Sequence, residues 1–172
     1  MKQKIALLCP FILCITLYAA EKTIPNRLID YPAYLKIAQQ TQIPREQRRV
    51  TEDQFRSLAA TAGTIILDAR SESKFKLRHI KGAINLPFTE FTEASLAKTI
   101  PAKNTRVLIY CNNNFLGSPV AFAPKAPSAS LNISTYVALA SYGYTNIYEL
   151  GPLIDLHNTK LVFEGQEVSQ AK

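Results

Sequence analysis

The residue best placed to do chemistry is a single thiol. Cys111 follows Val107, Leu108, Ile109 and Tyr110, an apolar run suited to a buried strand, and precedes three consecutive asparagines, Asn112, Asn113 and Asn114. A nucleophile at a strand's carboxyl end, opening into a polar loop, matches the site geometry of open α/β sheets. The thiolate is the reactive form of such a group. The competing reading is a small buried hydrophobe closing an apolar run. A second strand end carries charge, where Thr64, Ile65, Ile66 and Leu67 run into Asp68 and Arg70. His79 and His157 are the two histidines, and together with one cysteine they form no ligand-spaced motif, so no metal is expected.

The elements around these residues begin with a leader. Lys2 and Lys4 give residues 1–20 a positive start, 5–17 is mainly apolar, and Ala19 and Ala20 are small residues suited to cleavage. Tyr18 lies three residues before that cut, where a small side chain is preferred, so an uncleaved anchor is the competing expectation. Export to a bacterial periplasm is expected, with membrane attachment only if the leader is retained. Cys9 and Cys14 leave with the leader, and Cys111 is then the one remaining cysteine. Alone in an oxidising compartment it closes no internal disulfide, which leaves intermolecular pairing, a reactive role or burial.

The chain has 172 residues, 47% of them hydrophobic, enough for one domain with its own core. Its 20 Lys+Arg against 13 Asp+Glu give a net charge of +7, scattered apart from Arg45, Arg48 and Arg49. No aromatic–basic array accompanies that charge, so no nucleic-acid partner is expected. The field favours a small anionic substrate.

Periodicity and punctuation predict alternating helices and strands. Residues 21–49 form a partly apolar, proline-punctuated arm with some helical character. Thr51 and Gln54 make a capping box for a helix to about residue 60. A buried strand follows at 64–67, and Ser71 caps a short helix to about 76. A turn at 79–82 leads to a brief strand over 83–86, and Thr92 caps a helix over 93–99. The strongest strand, 105–110, ends at the thiol. Residues 112–130 contain Gly117, Pro119, Pro124 and Pro127 without a period, and a loop of that length is expected to be functional or mobile. A helix over 130–141, a strand over 146–150 and a short helix over 153–157 complete the core. Residues 161–163 could pack back on the domain, and 166–172 is expected to fray. Such alternation predicts βαβ units and a mainly parallel sheet.

In this order the motifs resemble the rhodanese-like family of sulfurtransferase domains, over about 49–157. Val50-Thr-Glu-Asp-Gln-Phe55 resembles the family's first strand and capped helix, and Leu67-Asp-Ala-Arg70 its strand-end segment. His79-Ile-Lys-Gly-Ala-Ile-Asn-Leu-Pro87 is the most specific match. Ile109-Tyr-Cys111 stands where the family places its sulfur-carrying cysteine, and Tyr144-Thr-Asn-Ile-Tyr148 resembles its final strand. Departures lie at Arg78, where glycine is usual, at Pro152, Leu153 and His157, and above all after Cys111. There the family's tight loop, with its early glycine and basic residue, is replaced by Asn114, Leu116 and a long segment before the next helix.

The resemblance implies an α/β fold, a three-layer sandwich with a central, mainly parallel five-stranded sheet flanked by helices. It divides the chain into a signal peptide (1–20), an N-terminal arm (21–48), the rhodanese-like domain (49–157) and a C-terminal tail (158–172). It implies a sulfurtransferase that holds sulfane sulfur as a persulfide on Cys111, with no cofactor. The implied partners are a small anionic sulfur donor and a thiol or cyanide-like acceptor, or a protein acceptor. Main-chain N–H groups of Asn112, Asn113, Asn114, Phe115 and Leu116 are expected to hold the anion, and Asp68 and Arg70 to brace the site. Two other classes compete. One is a non-catalytic rhodanese-like module that binds a partner through the long loop. The other is a cysteine phosphatase, which would need arginine where this chain has Gly117.

Overall fold

The computed structural model describes residues 24–169. Helix α1 spans Tyr31–Gln47 and leads into strand β1, Arg49–Val50. Helix α2, Glu52–Ala59, starts on the reciprocal capping box of Thr51 and Gln54. Then come β2 (Ile65–Asp68), α3 (Glu72–Leu77), β3 (His79–Ile80), β4 (Ile84–Asn85) and α4 (Glu93–Thr99), the last capped by Thr92 and Ser95. Strand β5, Val107–Tyr110, precedes β6 (Phe115–Leu116), α5 (Leu131–Ser141), β7 (Ile147–Leu150), β8 (Ile154–Asp155), β9 (Phe163–Glu164) and a last turn of helix, α6 (Gln166–Ser169).

Five strands form one parallel sheet in the order β1-β7-β5-β2-β4. Parallel sheets are covered on both faces, so their strands are apolar throughout. In the central strand β5 all four side chains are buried. Leu108 and Tyr110 point to one face, where they join Ile66, Leu150 and Phe55 of α2. Val107 and Ile109 point to the other, against Leu96 of α4 and Tyr136 and Leu139 of α5. The helices therefore lie in two layers around the sheet, the predicted three-layer α/β sandwich.

After β2 the chain runs outward to β4 and then crosses back to place β5 on the other side of β2. That reversal opens a crevice at the carboxyl ends of β2 and β5, the place where open α/β sheets bind ligands.

The structure differs from the sequence reading in four places, the first being residues 166–169, read as fraying, which form α6. Residues 153–157 form no helix: β8 pairs in parallel with β6, and Asp155 Oδ1 accepts the His157 N–H at 2.9 Å, closing a turn. Ile154 is buried by that pairing, which outweighs the weak helical preference of so short a segment. His79 and Ile80, read as a turn, form β3 and pair antiparallel with β9 from the tail. The prolines do not break α1. Pro32 sits in the first turn, where no N–H is needed, and Pro44 lies in the last turn, where only the bond to the Gln40 carbonyl is lost. Arg45 holds that end by an ion pair with the buried Glu149 of β7, Nη2 donating to Oε1 at 2.7 Å and Nε lying 2.6 Å from Oε2.

Among the described residues no helix is long and apolar enough to cross a membrane. The predicted leader, residues 1–20, lies outside the described residues.

Candidate active site at the carboxyl edge of the sheet

Cys111 leaves the end of β5 and is 1% exposed. Its N–H donates to Asn114 Oδ1 at 2.9 Å, and the Asn114 N–H donates back to the Cys111 carbonyl at 3.2 Å. Ser130 Oγ lies 3.4 Å from Sγ. Ser130 is the N-cap of α5, yet its hydroxyl makes no bond to its own helix, so it is left to face the sulfur. The first turn of an eleven-residue helix, with its unpaired N–H groups and positive end, thus adjoins the thiol.

The three asparagines act through their side chains. Asn112 Nδ2 donates to the Ala123 carbonyl at 2.6 Å. Asn113 bonds both ways with Lys125, donating at 2.7 Å and accepting at 3.1 Å. Asn114 Nδ2 donates to the carbonyls of Leu150 at 2.7 Å and Pro152 at 3.2 Å, while its Oδ1 also accepts from Asn132 at 3.0 Å. One short turn over Asn112–Asn114 therefore ties together the long loop, the start of α5 and the end of β7. Phe115 and Leu116 are committed elsewhere. The Phe115 N–H donates to the Asn112 carbonyl and its ring is buried, while Leu116 is exposed in β6.

The long loop is anchored from within. Gly117 opens it at φ +96, a conformation that L side chains rarely adopt, with the His157 ring 3.4 Å from where a Cβ would stand. Ala121 and Phe122 are buried. Phe122 packs on Phe115 at 4.5 Å between ring centroids and on Phe163 of the tail at 6.1 Å. The tail is held in turn by Glu167, which accepts from Ser118 at 2.6 Å and lies 3.8 Å from Arg78.

Asp68 and Arg70 form the other wall. The buried guanidinium of Arg70 grips Asp68 through Nε and Nη2, the shortest bond 2.5 Å. Its remaining donors reach the carbonyls of Ala121 at 2.9 Å and Arg78 at 2.8 Å, and its face covers Phe122 at 4.3 Å. Burial alone would push the guanidinium's pKa down, but the bond to Asp68 and its charge outweigh this, and the group is held more firmly protonated than usual. Tyr110 completes the cluster, donating its hydroxyl to Asp68 at 2.5 Å and accepting the Ile80 N–H at 3.2 Å. The pair thus holds the long loop at the Ala121 carbonyl and the Phe122 ring. His79 serves the fold: Nδ1 meets the Phe75 carbonyl at 2.8 Å and the ring stacks on Phe75 at 3.7 Å.

Burial, reinforced by the Asp68 charge, pushes the Tyr110 phenol well above its ordinary 10.0. The neutral phenol is favoured in the fold, so its contribution to stability is present below about pH 10 and is lost as the pH rises further. In an alkaline absorbance titration, Tyr110→Phe is expected to leave the tyrosinate signal below pH 11 unchanged while removing part of the alkaline loss of stability. An equal loss of tyrosinate signal would show that Tyr110 ionises normally.

Two clefts adjoin the cysteine turn. One, of about 440 Å³, is lined by Arg70, Lys74, Asn112 and Lys125 among others. The other, of about 280 Å³, is lined by Asn114, Ser130, Asn132 and Glu149, with Arg45 and Arg49 from the α1–β1 segment. A further cleft, about 710 Å³, lies between the start of α2 and residues 151–155, and Cys111 is not among its lining residues. Among the described residues no group of three or more His, Cys, Asp or Glu is placed to hold a metal.

Sequence reasoning overlooked Ser130 and Asn132 as site residues, and it overlooked the phenol of Tyr110. The signal for Ser130 was its place at a helix start, whose spatial return to the strand end follows from the β5-α5-β7 crossover.

Comparison with known proteins agrees with this architecture. The family model described as "Rhodanese-like domain" matches residues 51–151. Thiosulfate sulfurtransferase PspE of Escherichia coli (strain K12) is 30% identical over 105 residues, covering 61% of this chain and 86% of the relative. The solution structure of the rhodanese-like domain of the Alr3790 protein from Anabaena superposes with a TM-score of 0.51 at 18% identity, covering 72% of this chain and 83% of that one. With its five-stranded parallel sheet, its cysteine at the β2/β5 switch point and a match over more than half its length, the chain belongs to the rhodanese-like domain family.

Proposed function

We propose that the protein is a sulfurtransferase that carries sulfane sulfur as a persulfide on Cys111. The observation that carries the reading is the Ser130 hydroxyl 3.4 Å from the Cys111 sulfur, at the positive end of α5. Donors of this kind stabilise an anionic sulfur. The likeness to a relative named for thiosulfate sulfur transfer supports the same chemistry.

In the forward step the Cys111 thiolate attacks the sulfane sulfur of the donor. The donor's S–S bond breaks, the bonding pair leaves with the remainder of the donor, and a new S–S bond forms on Sγ. The basic cleft with Lys74 and Lys125 suits an anionic donor. Asn114 keeps the cysteine backbone in place, and Asp68 and Arg70 hold the long loop. The leader supports export, and N-terminal sequencing of the protein from its native host should begin after Ala20.

Intact mass spectrometry after treatment with thiosulfate tests the central reading. The wild type should gain one sulfur atom, cyanide should remove it, and the Cys111→Ser protein should gain none. One observation favours a second reading, a partner-binding module: the thiol is almost wholly buried. No gain of sulfur with any sulfane donor, together with retained partner binding, would establish the module instead.

A further inference from the structure

The cleft walled by α1 has features that a simple sulfur anion does not satisfy. One of its residues, Arg45 of α1, precedes the domain, and another, Arg49, lies in its first strand β1. Ser130, which faces Sγ, lines the same cleft. Arg45 is paired with Glu149, Nη2 donating to Oε1 at 2.7 Å and Nε lying 2.6 Å from Oε2. Arg49 is held less closely: its bonds are 3.2 Å to the Gly151 carbonyl and 3.3 Å to Glu46, whose side chain is 68% exposed, and Glu149 is 3.9 Å away. An exposed pair of that kind contributes little and exchanges readily. Arg49 is therefore a guanidinium available to a ligand carboxylate, which it can grip through two parallel bonds.

Opposite in character is Asn132, which is 3% exposed. Its orientation is fixed by its neighbours. The Cys111 N–H requires Asn114 Oδ1 as acceptor, and Asn114 Nδ2 is spent on Leu150 and Pro152, so Asn132 must offer Nδ2 to Asn114. Asn132 Oδ1 is thus left as a buried acceptor with no donor among the described residues. Such an atom carries a desolvation cost until a donor arrives. Thiosulfate brings only acceptors at neutral pH, whereas an ammonium brings donors.

We propose that this cleft is the subsite for the sulfur acceptor, and that the acceptor is a small zwitterionic aminothiol, with its carboxylate on Arg49 and its ammonium on Asn132 Oδ1 beside Glu149. The volume of about 280 Å³ suits a ligand of that size. The proposal rests on Cys111 carrying sulfur. The acceptor thiol loses its proton to water, and its thiolate attacks the outer sulfur of the persulfide. A new S–S bond forms to the acceptor, and the bond from Sγ to the outer sulfur breaks with its electron pair left on Cys111. Ser130 Oγ is placed to donate to that leaving sulfur. No external oxidant or reductant is required.

The test uses the full chain loaded from thiosulfate, with transfer measured to cysteine, to cysteamine, which lacks the carboxylate, and to 3-mercaptopropionate, which lacks the ammonium. Cysteine should show a KM about tenfold or more below both, and Arg49→Gln should erase its advantage over cysteamine. Equal KM values, or an advantage that survives Arg49→Gln, would overturn the proposal and leave the persulfide reading standing. Binding of S-methylcysteine to the Cys111→Ser protein, followed by calorimetry, reads the cleft without any sulfur transfer. Binding weakened by Arg49→Gln supports the subsite even if no persulfide forms, and absence of binding removes it.

Discussion

Cys111→Ser is expected to lower sulfur transfer by about four orders of magnitude or more, because the covalent carrier is lost and an alcohol does not replace a thiolate as the sulfur nucleophile. The fold should survive the change. The side chain is 1% exposed at the end of β5, and serine is smaller than cysteine, so no overpacking arises. The new hydroxyl is polar, but Ser130 Oγ is placed to partner it. Stability should therefore stay within about 1 kcal/mol of the parent by urea unfolding. Retained turnover in the variant would remove Cys111 from the mechanism. Absence of turnover in both proteins, with every sulfane donor tried, would favour the binding module.

The same local economy explains what the sequence disclosed. Strand β5 was legible because a strand covered on both faces must be apolar at every position, and Val107 to Tyr110 are. Helices α2 and α4 were legible because Thr51 and Thr92 carry their capping partners three residues on. The short ladders β3–β9 and β6–β8 were not, since two-residue strands hold no period and are specified by contacts made across the fold. Phe163 becomes structural only when it meets Phe115 and Phe122. The extent of α1 was hidden for a similar reason: none of its residues is buried, and its end is held by an ion pair to Glu149, 104 positions away. Cys111 could be singled out from the sequence, but Ser130 sits 19 residues later, and only the folded loop reveals that they meet.

That loop supplies the second large effect. Arg70→Ala is expected to destabilise the domain by about 3–5 kcal/mol, the usual cost of leaving a buried charge without its partner, here Asp68. The variant also strips the donors from the Ala121 and Arg78 carbonyls and the cation from the face of Phe122. Ala121 and Phe122 are the buried anchors of the loop that joins the buried Cys111 to Ser130, whose hydroxyl meets the sulfur, so their release should expose Cys111 as well as weaken the fold. Alkylation of Cys111 by iodoacetamide under native conditions should rise by about 10- to 100-fold, as expected for the loss of one or two hydrogen bonds to a charged group. The two consequences can be separated. A double replacement, Asp68→Leu with Arg70→Met, removes both charges and should recover much of the stability, because a buried ion pair is often matched by apolar residues of similar volume. It cannot restore the donors to the Ala121 and Arg78 carbonyls. Cys111 should therefore still react faster than in the parent, although global unfolding has been largely repaired. If alkylation instead returned to the parental rate together with stability, Arg70 would be a structural residue of the core, and the loop would be held in place by Phe122 and the asparagine bonds alone.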